Sequence, residues 1–284
     1  MSLGGSVLFD VPGPRTRARN TGLGVLGSLV VAGIAVLVVA RLWSRGALTP
    51  DQFAVYADGQ ILTGLGQAVL NTLEAAVAAI VSALLLGAAL CAGRLSRRAW
   101  ARRPAVAVIE FFRAIPLVLL ILFLFLGFGR TVGTFGALVI GLMLYNGSVL
   151  AEIFRAGILA VPRGQAEAGQ ALGLTDADVM RHVVAPQALR AMAPSIVSQC
   201  VVALKDTSLG FIISYLELAR FNRLIYTAEN NIIASTLVVA VVYVGMNLTL
   251  GWVADRLARR QGQTRAGALD PDLQVREAEL APPS

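Results

Sequence analysis

Apolar residues in this chain run in long unbroken stretches and show neither the strict alternation of a strand nor the narrow stripe of a surface helix. Six stretches reach the roughly 20 residues a helix needs to cross about 30 Å of hydrocarbon. They fall at 21–42, 63–92, 105–128, 135–158, 192–216 and 231–254. Unbroken apolarity predicts helices and not a β-barrel, because a helix satisfies its own backbone inside lipid and a barrel strand alternates. The expected fold is an all-α membrane protein with about six transmembrane helices. A polar, helix-forming stretch at 159–191 separates the fourth span from the fifth.

That stretch has its own local grammar. Gln165 to Leu172 are good helix formers, and Gly173 suits the left-handed residue that ends a helix. Thr175 then opens a second helix, with Asp178 three residues on as a weaker capping box. Asp176 and Asp178 complement the positive helix end, and Pro186 marks where this second helix kinks or stops. The expectation is two short helices folded against each other at the membrane surface.

Composition agrees with the spans. The chain has 284 residues, 56% hydrophobic and 14% charged, with mean hydropathy +0.71. A soluble domain carries about 25% charged residues. Arginine placement predicts orientation. Arg15, Arg17 and Arg19, then Arg94, Arg97, Arg98, Arg102 and Arg103, then Arg163, Arg181 and Arg190, and finally Arg256, Arg259, Arg260 and Arg265 all fall on one side of a six-span chain. The other side holds Arg45, Arg130, Arg220 and Arg223. The positive-inside rule then places both termini and the polar stretch in the cytoplasm. The net charge of +7 and pI near 10.2 come from clusters flanking spans, which points to anionic lipid and away from nucleic acid. Span one is too long for a signal peptide and is read as a retained anchor. Cys91 and Cys200 lie in or at the ends of spans and read as packing residues.

Catalytic chemistry is not legible. Lys205 is the only lysine, and Asp206 follows it, so no Gly-Lys-Ser/Thr phosphate loop exists. No cofactor is expected in this chain. Gly22, Gly24 and Gly27 match a dinucleotide fingerprint but open a membrane helix, where small residues serve helix packing. Ionisable groups inside spans carry more information, because lipid makes them costly. Glu74 follows Asn71 and Thr72 in span two, and Glu110 and Arg113 lie one turn apart before Pro116. Glu152 and Arg155 repeat that spacing, and Lys205, Asp206, Thr207 and Ser208 cluster in span five. Lys205 and Asp206 point about 100° apart on a regular helix and cannot simply pair. Each needs another partner, or the helix breaks, and Gly210 favours a break. Arg113 beside a proline-loosened turn is a candidate carboxylate clamp.

The polar stretch also carries a resemblance. Glu167-Ala168-Gly169, then Gly173, then Pro186 resembles the EAA loop of permease subunits of bacterial ABC importers. Glu110 to Pro116, Ala151 to Gly157, Val161 to Gln165, Pro186 to Arg190 and Leu204 to Leu209 are similar to blocks of the polar-amino-acid branch, over roughly 63–258. The opening residues and first span are similar to a permease of the glutamate importer in that branch. Gly169, Ala185, Ala114 and Ile115 depart from the usual family residues. The resemblance implies an arm at 1–20, an additional helix at 21–43, a five-helix core at 62–258 containing the coupling loop 159–191, and a tail at 259–284. It implies an ATPase dimer gripping Glu167, Ala168, Gly169, Gly173 and Pro186, with ATP and magnesium used there. It also implies a second permease, alike or different, and an extracytoplasmic amino-acid-binding protein. Arg113, Lys205, Asp206, Thr207, Ser208 and Glu74 are the expected substrate contacts. The rival reading is a secondary amino-acid transporter driven by an ion gradient, with Asp206 or Glu74 as the ion site.

Overall fold

The computed structural model describes residues 14–266, which are helices joined by short turns and connections, with no strand among the described residues. The first 13 residues of the predicted arm and the tail beyond 266 lie outside the described residues. Helix α1 spans Pro14–Ser44, α2 Pro50–Ala54, α3 Gly59–Leu95, α4 Ala99–Ala114 and α5 Leu117–Leu159. Then come α6 Arg163–Ala171, α7 Asp176–Asp178, a π-helical turn at Val179–Val184, α8 Ala185–Asp206, α9 Leu218–Glu229 and α10 Ile232–Ala266.

Five of these stretches are long and apolar enough to cross a bilayer, yet the chain makes six crossings. The reason is Gly133, whose φ of 69° and ψ of −177° interrupt α5. That region of backbone space is essentially reserved for glycine. On a straight helix Ile121 and Gly141 would stand about 30 Å apart. Here a Cβ on Gly141 would lie 2.7 Å from Ile121 Cγ1. The two limbs of α5, before and after Gly133, therefore double back on each other. Their apolar faces share one cluster through Ile121, Ala137, Leu138 and Leu142. The third crossing is itself broken, because Ile115 is extended (ψ 131°) ahead of Pro116, the conformation a proline imposes on its predecessor.

The core forms where small residues let backbones approach. Ala68, Thr72, Ala75, Ala79, Ala83, Gly87 and Cys91 line the buried face of α3 at helical spacing. A Cβ on Gly87 would sit 2.9 Å from Leu150 Cβ and 3.0 Å from the Gly147 carbonyl oxygen. Lipid gives no hydrophobic drive between helices, so this close packing supplies the cohesion. Helix α1 is different. Its apolar window is entirely exposed, and nothing lies within 4 Å of the Cβ positions of Gly22, Gly24 or Gly27. The packing expected of those glycines has no counterpart among the described residues.

Two further expectations change in detail. Pro186 does not end the second short helix. The chain runs as one helical stretch over Asp176–Ile213, with the π turn just before the proline. The Ala185 N–H donates five residues back, to the Met180 carbonyl. The widened turn accommodates a residue that lacks an N–H and crowds the preceding turn. The expected pair of short helices is thus one short helix, α6, folded against the start of a long one. The break anticipated near Lys205 is present. Helix α8 ends at Asp206, a 3₁₀ segment covers Thr207–Ile213, and Ser214 is left-handed at φ 61°.

Candidate functional site

Residues 159–191 form a compact projection at the end of the bundle where α3 and α5 finish. Helix α6 closes in a Schellman turn: the Gly173 N–H donates to the Gln170 carbonyl (2.9 Å) and the Leu174 N–H to the Gly169 carbonyl (3.2 Å). Gly173 has φ 83°, which disfavours any residue with a Cβ. The Thr175 hydroxyl accepts from the Asp178 N–H at 3.3 Å and donates to Asp178 Oδ2 at 2.6 Å. Gln187 Nε2 donates to Gln165 Oε1 (3.1 Å), tying α8 back to α6. Gly169 is buried here, and a Cβ on it would lie 3.0 Å from Val179 Cγ2. Glycine in place of the family's usual alanine thus brings α6 against the π turn. Glu167, Ala168 and Pro186 are exposed. Leu172 is 84% exposed, an apolar knob that the sequence reading passed over.

Near this end lies a network of five charges. Arg94 sits 3.2 Å from Glu110 and 3.0 Å from Glu152. Arg155 is 3.1 Å from Glu152, and Arg113 is 3.9 Å from Glu110. Both three-residue spacings thus close as ion pairs, and Arg94 joins them across α3, α4 and α5. Arg113 is turned towards Glu110. Arg94 was legible only as a flanking charge, because its partners are 16 and 58 residues away in sequence.

The polar cluster of span five lies far along α8 from the projection. Lys205 and Ser208 line a cavity of about 550 Å³ with Ala240, Tyr243, Val244, Asn247 and Leu248 of α10, a size typical of small-molecule sites. Lys205 is exposed and makes no ion pair among the described residues. Asn247 Nδ2 donates to the Tyr243 carbonyl at 2.7 Å, and Asn247 Oδ1 is buried without a hydrogen-bond partner among the described residues. Lys205 and the Asn247 side chain thus stand on one chamber. The other expected contacts are not gathered there. Thr207 is fully buried and its hydroxyl donates to the Leu204 carbonyl at 2.6 Å. Asp206 is half-buried, Glu74 is exposed on α3, and Arg113 belongs to the network above.

Behind the cavity stands a residue that sequence reasoning missed. Glu217 is completely buried. It caps α9 by accepting from the Ala219 and Arg220 N–H groups at 2.7 and 2.8 Å. It also accepts from Tyr243 Oη at 2.7 Å. The next residue, Leu218, donates its N–H to Thr72 Oγ1 at 3.2 Å. Asn71 reaches the Leu216 carbonyl at 2.7 Å, and Tyr215 Oη reaches the Asn71 carbonyl at 3.0 Å. The polar Asn71–Thr72 pair of span two is therefore the anchor of the 215–218 turn.

The glutamate transport system permease protein GluD of Corynebacterium glutamicum is 37% identical over 237 residues, covering 80% of this chain and 84% of the relative. The glutamine transport system permease protein GlnP of Escherichia coli K12 is 33% identical over 165 residues, covering 56% of this chain and 75% of the relative. A crystal structure of an amino acid ABC transporter with histidines superposes with TM-score 0.68 at 27% identity, covering 75% of this chain and all of that one. The MetNI methionine ABC transporter in an inward-facing form shares the fold, with TM-score 0.61 at 21% identity. Residues 80–263 match the family described as binding-protein-dependent transport system inner membrane component, and the chain belongs to that family as a multi-pass membrane permease subunit.

Proposed function

We propose that this chain carries glutamate or glutamine across the bacterial cytoplasmic membrane as one permease of an ATP-driven importer. Similarity to glutamate and glutamine permeases supports the substrate class. The observation that carries the reading is the chamber lined by Lys205, which has no ion pair among the described residues, and by Ser208 and Asn247. An α-amino acid is a zwitterion, so its carboxylate suits the Lys205 cation, and its ammonium suits the Asn247 amide oxygen once that side chain turns into the chamber. Ser208 adds a hydroxyl donor, and a second carboxylate would be drawn to the same positive field. Arg113, Asp206, Thr207 and Glu74 then act through the surrounding bundle or from a second permease, alike or different, that completes the path.

Both termini and the projection face the cytoplasm in this reading. The exposed Glu167, Ala168 and Leu172 dock on an ATPase dimer, which uses ATP and magnesium. An extracytoplasmic binding protein delivers the amino acid at the opposite end. ATPase contacts bias the bundle between two states, which is the thermodynamic requirement for alternating access. Uptake into proteoliposomes containing the whole importer provides the test. Lys205→Gln is expected to shift preference from glutamate towards glutamine and Asn247→Leu to weaken both. Unchanged uptake of both amino acids in both variants would place the pocket elsewhere.

A further inference from the structure

We infer that the apolar cavity beneath the projection binds an anionic phospholipid, with an acyl chain in the cavity and the phosphate on Arg98 and Arg102. The cavity measures about 520 Å³, and its walls include Cys91, Leu95, Phe154, Ile158, Met180 and Met192. These residues come from the last turns of α3 and α5, the π turn and the start of α8. The chamber therefore lies where membrane helices leave the bilayer. Ser96 stands on its lining as well, and Arg98 follows two residues later, at most about 7 Å along the chain.

Charge complementarity selects the occupant. Arg94 and Arg155 are held by Glu152, and Arg97 by Asp176 at 3.3 Å. Arg98, Arg102 and Arg103 are exposed and make no ion pair among the described residues. Arg98 also occupies the N-cap position of the 16-residue α4 without a side-chain cap, so the first amides of that helix add to the field an anion meets. Trp100 is 73% exposed beside them, the placement of an aromatic at headgroup level. An apolar slot, exposed guanidinium groups a few residues along the chain from its lining and an interfacial tryptophan together fit an amphiphile with a negative head. A neutral apolar ligand leaves the cations unused, and a free anion leaves the slot empty.

The site has a consequence for coupling. Met180, Ala185, Leu189 and Met192 all lie on the helical stretch that begins in the projection. A chain lodged against them braces the π turn, so occupied protein holds the projection more firmly than empty protein.

The test uses the purified whole importer in nanodiscs of phosphatidylethanolamine alone or in equal mixture with phosphatidylglycerol. Native mass spectrometry reads the lipid retained after detergent extraction. Wild type is expected to retain phosphatidylglycerol in preference to phosphatidylethanolamine. Ala92→Phe, which fills the cavity, and the double variant Arg98→Gln/Arg102→Gln are each expected to lose that preference by roughly tenfold. Arg130→Gln, at the other membrane face, is expected to keep it. Retention unchanged in either cavity or arginine variant overturns the proposal. A second measurement does not depend on Ala92→Phe assembling. Leu189→Trp places a fluorophore at the cavity, and chain-brominated phosphatidylglycerol should quench its added emission more than brominated phosphatidylethanolamine does. Equal quenching by the two lipids refutes the site.

Discussion

Replacing Glu217 tests the turn that joins the cavity wall to α9. In Glu217→Ala three donors lose their acceptor: the Ala219 N–H, the Arg220 N–H and Tyr243 Oη. Loss of a helix cap costs about 1 kcal/mol. Stranding a buried hydroxyl costs roughly 1–3 kcal/mol, and the fully buried position of Glu217 argues against rescue by water. The local sum is about 2–4 kcal/mol, which corresponds to a roughly 30- to 700-fold larger opening equilibrium at 1.4 kcal/mol per tenfold. Amide hydrogen exchange followed by mass spectrometry on the assembled importer reads this directly. Peptides covering Leu218–Glu229 should lose protection, while those from the α3–α5 contact around Gly87 should not. Glu217→Gln keeps one carbonyl acceptor and should lose about 1 kcal/mol. Tyr243→Phe leaves the backbone bonds intact, and its effect should shrink when combined with Glu217→Ala, a coupling of about 1 kcal/mol. Unchanged α9 protection in Glu217→Ala, or a uniform loss across α3 and α5, would refute the assignment.

Other outcomes follow from the packing. Gly173→Val forces a β-branched residue to φ 83°; substrate-stimulated ATP hydrolysis should fall several-fold while membrane insertion persists, and wild-type coupling would contradict the docking role. Gly87→Leu drives a side chain into the Gly147 carbonyl and should lower thermal stability by about 1–3 kcal/mol or more, measured as the loss of monodisperse protein on heating. Glu167→Cys should label from the cytoplasmic side only; labelling from outside in intact cells would invert the proposed orientation.

Local features were legible in the sequence because their causes are local. Gly173 and Thr175 shape the projection through their own backbone and nearest neighbours, and the α8 break after Asp206 has Gly210 beside it. The six spans followed from length and apolarity alone. What could not be read is tertiary pairing. Arg94 meets Glu152, and Tyr243 meets Glu217 across 26 residues. Glutamate has no strong preference for the N-cap, and Tyr243 sits in an apolar run where its hydroxyl gives no periodic signal. Pro186 was expected to kink or stop its helix, and the helix widens just before it and continues. A proline ordinarily ends a helix, but a turn with one extra residue before it restores continuity.

That continuity has a mechanical meaning. Asp176 in the projection and Lys205 in the membrane cavity lie on one helical stretch, separated by about 45 Å at 1.5 Å per residue. A rod of that length works as a lever. Tilting it by about 5° around the projection carries Lys205 sideways by about 4 Å, more than the length of a hydrogen bond. The rod's compliance is concentrated at two places, the π turn at Val179–Val184 and Pro194 inside α8, because helices bend at such interruptions. Stiffening the first or loosening the second changes how much of any movement at the projection arrives at the cavity, without altering a single residue that touches the cargo.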